Sequence, residues 1–229
     1  MVPSLLETDV PIHVIAYERD DFSFQKFAEH DIFVPAHIRS SVSKRQAEFF
    51  YGRLAARHAL APFGLAQIVI PTGAAREPVW PPGIVGSITH NHRYAGAVAL
   101  RHADQAGIGI DLEQVVDAES KQVLAATVVS ASELAFLGTL GAECDFDVLL
   151  TLVFSAKESF FKAAYGLVGY YFDFDALTIL NVDYQQQVLW FRIEQDLCAA
   201  LAKGGICRIC FTFIDSKTIL TSCRLPSHA

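Results

Sequence analysis

The order of apolar and polar residues predicts two successive groups of strands and helices. In the first group, apolar residues recur at helical spacing over 43–60. Ser43 and Gln46 have the spacing of a capping pair at the start of this helix, and Gly64 lies just beyond its end. Short apolar runs separated by proline and glycine predict strands at 11–17, 67–70, 84–89 and 94–100.

The second group begins with a strand over 107–113, whose side chains alternate between two faces. One face carries Ile108, Ile110 and Leu112. The opposite face carries Gly109, Asp111 and Glu113. The two carboxylates, two residues apart on one face, can therefore share one cation. Gly109 lies on the same face and has no side chain, so it would leave room there for a phosphate.

Helical patterns follow the acidic strand, and strands return at the end of the chain. Helices are predicted at 119–128, 131–139 and 146–165, the second of them opened by Ser130 and Glu133. Residues 176–225 read as antiparallel strands with turns near 184–186 and 215–217. Segregated strands and helices favour an α+β fold. We expect two halves, 1–106 and 107–229, with a ligand site where they join.

Composition narrows the function classes. The chain has 229 residues, of which 52% are hydrophobic, so it is long enough to bury a substantial core. A formal net charge of -7 argues against nucleic acid as a partner. The five cysteines show no disulfide framework, and Cys207 and Cys210 would point to opposite faces of a strand; we therefore expect a cytoplasmic protein. The N-terminus lacks a signal-peptide pattern, and no apolar run is long enough to span a membrane.

A second acidic motif, FSAKESFFK at 154–162, lies in the last predicted helix. Glu158 and Lys162 are neighbours there at i and i+4. Ser155 and Glu158 have the spacing of a capping box, but the apolar pattern begins earlier and places Ser155 inside the helix. An ordinary surface ion pair is the other alternative. With Asp111 and Glu113, Glu158 would complete an oxygen-ligand set suited to Mg²⁺ beside a phosphate.

Basic side chains of the first half could bind the other end of an anionic ligand. Arg45, Arg53 and Arg57 fall within about one third of the circumference of the helix over 43–60. A solvated face and a phosphate-binding edge are both consistent with this pattern. His90 ends the strand that contains Ser87 and Thr89, and it could donate to a phosphate.

Four segments in order resemble the Sfp-type 4'-phosphopantetheinyl transferases, in the group of the enterobactin synthase component D. They are KRQAEFFYGRLAARHAL at 44–60, REPVWPPGIVGSITH at 76–90, GIGIDLE at 107–113 and FSAKESFFKA at 154–163. The resemblance implies two similar halves related by a pseudo-twofold axis, with coenzyme A in the cleft between them. It implies transfer of the phosphopantetheine arm of coenzyme A to a serine of an apo acyl or peptidyl carrier protein, releasing adenosine 3',5'-bisphosphate.

The resemblance also assigns roles to individual residues. Mg²⁺, or Mn²⁺ in its place, would be held by Asp111, Glu113 and Glu158. Coenzyme A would be contacted by Arg45, Arg53, Arg76, Ser87, Thr89, His90, Asp111, Lys157 and Lys162. Glu158 would act as general base, directly or through water, with Lys162 stabilising the charge of the leaving group. Phe154, Thr89 and Asn91 depart from the commonest family pattern at positions that concern packing and cofactor edges.

The carrier domain would be an acidic partner of an enzyme that is itself acidic. We therefore expect a mainly apolar docking patch, with the core as the alternative location of each side chain: Val115, Val116, Val123, Leu124, Tyr165 and Leu167. We expect a monomer. Two other functions use the same residues: a magnesium-dependent coenzyme A pyrophosphohydrolase, and a non-catalytic coenzyme A-binding module.

Overall fold

The computed structural model of the protein describes residues 11–140 and 145–227. Residues 1–10 and Cys144 lie outside the described residues. In chain order, the helices and strands are β1 (His13–Ala16), α1 (Lys26–Glu29), α2 (Ala36–Arg39), α3 (Ser43–Leu60), β2 (Ile84–His90), β3 (Tyr94–Arg101), β4 (Gln105–Gln114), α4 (Lys121–Val128), α5 (Ala131–Thr139), α6 (Phe146–Val168), β5 (Leu177–Asp183), β6 (Val188–Ile193), β7 (Ile206–Asp215) and β8 (Thr218–Pro226). The mixed helix-and-strand character predicted from the sequence is confirmed.

The first half is a three-stranded antiparallel sheet, in the order β1-β3-β2, covered by α3. Helix α3 has the predicted bounds, because its apolar side packs against the sheet and buries Phe50, Ala55 and Leu60. The predicted cap at its start is wrong. Val42 occupies the N-cap position without a side-chain bond, and the Gln46 amide donates to carbonyls of the preceding turn instead.

The strand predicted over 67–70 is absent from the described structure, and this prediction is wrong. The chain there makes turns, and a single bridge joins Thr72 to Pro78. Ile70 nevertheless packs into the core of the first half, which explains the apolar signal. Pro71 follows at once, and proline cannot donate a ladder hydrogen bond, so a regular strand cannot extend through it.

The second half is a five-stranded antiparallel sheet, in the order β4-β8-β7-β6-β5. The long helix α6 packs against β4, β8 and β7, and its Leu149, Leu152 and Phe160 are fully buried. Strand β4 begins at Gln105, so the boundary that we expected between 106 and 107 falls within its first residues. The turns predicted near 184–186 and 215–217 are confirmed as the connections β5–β6 and β7–β8.

Two glycines allow the backbone of α6 to lie directly on β4. A Cβ atom on Gly107 would collide with the carbonyl oxygen of Ala163, and one on Gly109 would collide with the carbonyl oxygen of Ser159. The space that we expected Gly109 to leave for a phosphate is therefore filled by helix backbone, and that expectation is wrong. The glycines instead bring the acidic residues of β4 and α6 close together.

The two sheets meet along β2 and β4 through side chains. Ser87 Oγ accepts a hydrogen bond from the backbone N–H of Ile110 at 3.1 Å, and Thr89 Oγ1 accepts one from Leu112 at 3.0 Å. The predicted apolar face of β4 packs between the sheets against Val98, which confirms its assignment to the core. These two hydroxyls satisfy backbone donors that would otherwise be buried without a partner.

The helices of the second half have nearly the predicted bounds. Ser130 and Glu133 form the predicted capping box at the start of α5, and Ser155 lies inside α6 rather than at its start. Cys207 and Cys210 pack into separate clusters on opposite faces of the sheet, as predicted. Within the described ranges no single helix is long and apolar enough to cross a membrane, although α4 and α5, bent by 119°, meet the length and composition test as a pair.

Candidate active site

Asp111 is the centre of the candidate site and is only 4% exposed. One carboxylate oxygen accepts hydrogen bonds from Lys162 Nζ at 2.6 Å and from Thr89 Oγ1 at 3.2 Å. The other accepts from Ser155 Oγ at 2.9 Å. Thr221 Oγ1 donates to the Ser155 carbonyl at 2.8 Å and holds that turn of α6 in place. Residues from β2, β4, α6 and β8 therefore fix the orientation of one carboxylate.

Two further carboxylates lie within electrostatic reach of Asp111. Burial, followed by the charge of Asp111, raises the pKa of Glu113 to about 8; Lys162 opposes this, and the charge of Glu158 adds a smaller contribution in the raising direction. Burial and the charge of Asp111 also raise the pKa of Glu158, again opposed by Lys162. Three acidic groups and one ammonium leave an excess of negative charge, which a cation would relieve.

The carboxylates of the candidate site do not surround a metal-binding position in the described residues. Among residues 11–140 and 145–227, no group of three or more His, Cys, Asp or Glu side chains is arranged to hold a metal ion. Lys162 Nζ instead donates to Asp111 Oδ1 at 2.6 Å and to the Ile110 carbonyl at 3.2 Å. The donor set is nevertheless of the hard-oxygen type that Mg²⁺ prefers.

A second group of charged and polar side chains, Arg45, Glu48 and His90, lies near the carboxylates. Arg45 donates to His90 Nε2 at 3.1 Å and contacts Glu48 at 3.4 Å. Burial lowers the pKa of His90, and Asp111 and Lys162 are among the groups whose charges act on it. A neutral imidazole that accepts from Arg45 is consistent with this direction. Through His90, Arg45 at the start of α3 thus lies near the acidic strand.

Comparison with known proteins identifies the family to which both parts of the chain are similar. The model of the 4'-phosphopantetheinyl transferase N-terminal domain matches residues 33–100, and that of the 4'-phosphopantetheinyl transferase superfamily matches residues 107–209. Enterobactin synthase component D of Escherichia coli is 36% identical over 147 residues, which cover 63% of this chain and 68% of that protein. The chain belongs to the 4'-phosphopantetheinyl transferase superfamily. The resemblance read from the four motifs is confirmed.

Two other relatives of this transferase-family chain have similar identity but lower coverage. Enterobactin synthase component D of Salmonella typhimurium is 40% identical over 146 residues, or 62% of this chain and 59% of that protein. The 4'-phosphopantetheinyl transferase Svp of Streptomyces mobaraensis is 41% identical over 140 residues, or 61% and 56%. The aligned region thus spans less than two thirds of the length of these two relatives.

The remaining basic residues assigned to coenzyme A lie at separate places in the first half. Arg53 lies over the Phe49 ring at 4.6 Å and donates to Thr72 at 3.4 Å; burial lowers its pKa to about 10. Arg76 is exposed, with a backbone φ of 70°, in the loop before β2. Arg57 donates to the backbone carbonyls of residues 30 and 31, which is a structural contact rather than part of a phosphate-binding edge.

Ser87 and Lys157, like Thr89 and Asp111, were assigned to coenzyme A but are buried and hydrogen-bonded to protein partners. Ser87 is 3% exposed, and its hydroxyl is bonded to β4, which favours a structural role over a cofactor contact. Lys157 is also 3% exposed. Its ammonium lies 2.9 Å from Glu133 Oε1 and donates to the Val128 carbonyl at 2.9 Å, away from Asp111. Burial lowers the pKa of Lys157, while Glu133 opposes that effect. The pyrophosphate contact expected of Lys157 is not supported by this placement.

The six residues of the expected docking patch differ in exposure. Val123 is 70% exposed on α4. The other five are half-buried, and Val115, Leu124 and Leu167 pack against the core of the second half. A pocket beside Glu158 is lined by Phe161 and by Tyr171, which is 69% exposed. The sequence pattern did not single out Tyr171, because an exposed aromatic residue in a loop has no periodic signature.

Sequence reasoning also missed the residues that support the carboxylates. The sequence pattern marks Ser155 only as a possible helix cap and gives no signal for Thr221, nor for Glu48, which contacts Arg45 and His90 at the basic end of the site. Their roles depend on contacts across 66 residues, from Thr221 to Ser155, and across 42 residues, from Glu48 to His90. No local spacing rule reports such contacts.

Proposed function

We propose that this protein transfers the 4'-phosphopantetheine arm of coenzyme A to a serine of an apo acyl or peptidyl carrier protein. The products would be the holo carrier and adenosine 3',5'-bisphosphate. The proposal is carried by the grouping of Asp111, Glu113, Glu158 and Lys162 where β4 and α6 meet, in a member of this superfamily. The relatives named enterobactin synthase component D and 4'-phosphopantetheinyl transferase support it.

We further propose that Mg²⁺, or Mn²⁺, binds at Asp111, Glu113 and Glu158. The raised pKa of Glu113 and Glu158 supports this, because a divalent cation would offset the repulsion and burial that disfavour their charged forms. Lys162 already places one positive charge 2.6 Å from Asp111 Oδ1. When bound, the cation would supply charge neutralisation on the pyrophosphate oxygens and align them for displacement.

The residues of the chain would handle charge and protons around the transfer. The carrier serine oxygen forms a bond to the β-phosphorus, the bond from that phosphorus to the bridging oxygen breaks, and adenosine 3',5'-bisphosphate departs. Glu158 would accept the proton of the serine hydroxyl, directly or through a water molecule. Lys162 would stabilise the developing charge of the leaving group. His90 and Arg45 would bind the nucleotide end.

Mass spectrometry of carriers tests the function directly. The protein is incubated with coenzyme A, Mg²⁺ and a panel of apo acyl and peptidyl carriers, and each carrier is weighed. We expect at least one carrier to gain the mass of a phosphopantetheine group. No gain on any carrier would contradict the proposal, and release of free 4'-phosphopantetheine without a carrier would identify a hydrolase instead.

Glu158→Gln tests the base role. We expect kcat to fall by about 100-fold or more, since a general base contributes about 10²–10⁴-fold, with the KM for coenzyme A changed by less than about threefold. Glu29→Gln, at an exposed position in α1, is the matched control and should leave kcat unchanged. Turnover of Glu158→Gln equal to that of the parent protein would remove Glu158 from the proton transfer.

Val123→Asp tests the docking patch. An apolar contact replaced by a charge should repel an acidic carrier, so we expect the KM for the carrier to rise about fivefold or more with the KM for coenzyme A unchanged. Ile206→Asp is the control, because this residue is 58% exposed at the start of β7. Equal effects of the two changes would argue against a patch at Val123.

Other expectations concern the assembly and its surroundings. Each half combines a long helix with an antiparallel sheet, which supports the inferred pseudo-twofold relation of 1–106 and 107–229. Cys207 and Cys223 are free thiols 3.6 Å apart, which supports a reducing compartment such as the cytoplasm. The monomer remains a prediction that sedimentation would test.

A further inference from the structure

Glu133 makes more contacts than a helix cap requires. It is 3% exposed, and one oxygen accepts from the backbone N–H of Ser130 at 2.8 Å in the capping box. The other oxygen accepts from the backbone N–H of Ile179 at 3.0 Å, in β5, and lies 2.9 Å from Lys157 Nζ, in α6. A single buried carboxylate therefore joins the start of α5, an edge strand and the long helix.

Lys157 completes this connection from the other side. Its ammonium also donates to the carbonyl of Val128, the last residue of α4. Both partners of the ion pair are hydrogen-bonded to backbone, which is the condition under which a buried pair keeps a defined geometry. The pair thus fixes one turn of α6 against three other elements of the second half.

That turn is the one that carries Glu158. Residues 157 and 158 are consecutive and point about 100° apart around the helix, so the rotation of α6 that is set at Lys157 also sets the direction of Glu158. The charges of Lys162 and Asp111 both act on Glu158, the first attracting its carboxylate and the second repelling it. The buried Glu133–Lys157 pair acts on the same turn of α6 and can support the direction of Glu158 without itself entering the site.

We propose that Glu133 is a positioning residue: through Lys157 it fixes the turn of α6 that presents Glu158 to the carboxylates of β4. This inference rests on the proposed cation site. It gives Lys157, which the family resemblance had placed on the pyrophosphate, a role behind the site. It also explains why the capping glutamate of α5 is buried, because its second oxygen serves two other elements.

Glu133→Gln tests the proposal with two readouts. Outer supports of metal ligands typically contribute about 10–100-fold to metal affinity or activity, so we expect Mn²⁺ to bind about tenfold more weakly in electron paramagnetic resonance titrations. In the transfer assay we expect kcat to fall by a similar factor, with the KM for coenzyme A changed by less than about threefold. Glu133→Asp, which keeps the charge, should recover part of both losses.

A control separates positioning from stability. Leu189→Ala truncates a fully buried side chain of β6 in the same core, at an expected cost of about 2–5 kcal/mol, without touching the Glu133–Lys157 pair. It should lower the unfolding midpoint and leave Mn²⁺ affinity unchanged. If Glu133→Gln lowers the midpoint but binds Mn²⁺ as tightly as the parent protein, the pair is structural only and the proposal is wrong.

A double variant covers the case in which Glu133→Gln does not fold. Glu133→Gln/Lys157→Met removes both charges, so that no unpaired charge stays buried; replacing a whole buried ion pair by uncharged side chains of similar size is often neutral for stability. We expect this variant to fold and still to bind Mn²⁺ about tenfold more weakly; parent-like affinity would overturn the proposal. Because Mn²⁺ binding is measured without carrier or coenzyme A, absence of transfer in the parent protein would count against the proposed function and not against this result.

Discussion

Asp111→Asn is expected to lower kcat/KM for phosphopantetheine transfer by at least about 100-fold, with the protein still folded. The asparagine has the shape of the aspartate and can still accept from Lys162 and Thr89, so packing at the junction of the halves is kept. It lacks the negative charge that attracts a divalent cation and that partners Lys162. Steady-state kinetics with a responsive apo carrier, together with Mn²⁺ titration, would measure both losses.

The matched control for this change is Asp183→Asn. Asp183 accepts from the backbone N–H of Gln186 in the turn between β5 and β6, far along the sheet from β4. It carries the same change of charge and should leave transfer and Mn²⁺ binding unaltered. Transfer by Asp111→Asn within threefold of the parent protein would show that this carboxylate is not needed, and the central part of the proposed site would fail.

Gly109→Ala is expected to destabilise the protein and to lower activity together. The added methyl group would overlap the carbonyl of Ser159 and the backbone nitrogen of Ala163, neither of which can rotate away. Helix α6 would have to move off β4, at a cost of about 1–3 kcal/mol or more for overpacking. Since α6 carries Glu158 and β4 carries Asp111, the same movement separates the acidic groups. Urea denaturation and Mn²⁺ titration would measure the two effects.

Gly166→Ala, in the same helix, is the control for Gly109→Ala. A Cβ atom at Gly166 meets nothing within 4 Å, and α6 there has ordinary helical geometry. Replacing a helical glycine by alanine should stabilise the protein by about 0.5–1 kcal/mol. The two glycine variants are thus expected to change stability in opposite directions. A Gly109→Ala protein as stable as the parent would show that α6 does not rest on β4 as described.

Local regularities of the chain predicted much of the fold. The bounds of α3 were predicted because its apolar residues repeat with helical spacing, and the two faces of β4 because side chains alternate along a strand. The capping box of α5 was predicted from Ser130 and Glu133 alone. The segment over 67–70 has the apolar residues of a strand, but pairing needs a neighbour, and Pro71 interrupts the backbone donors before one can form.

The sequence indicated the positions of the acidic residues of the candidate site better than those of its lysines. The charges of Asp111, Glu113 and Glu158 act on one another where β4 meets α6, although these side chains are not arranged around a metal position in the described residues. Lys157 and Lys162 are five residues apart in one motif, yet one is paired with Glu133 in the interior and the other with Asp111. Which lysine reaches the site depends on the rotation of α6, and packing of the whole helix determines that rotation.

The hydroxyl contacts between β2 and β4 also protect one edge strand of each sheet. Each of these strands is the last in its sheet, and an unpaired sheet edge is a template on which other chains can assemble. The hydroxyls of Ser87 and Thr89 bind backbone N–H groups of β4, so the edge strands β2 and β4 cover each other. The other two edges are β1, which has four residues, and β5, whose register is interrupted between Ile179 and Asn181 and whose Ile179 N–H is bonded to Glu133. A short edge and a bulged edge are both poor templates, so neither sheet offers a long, flat strand for self-association.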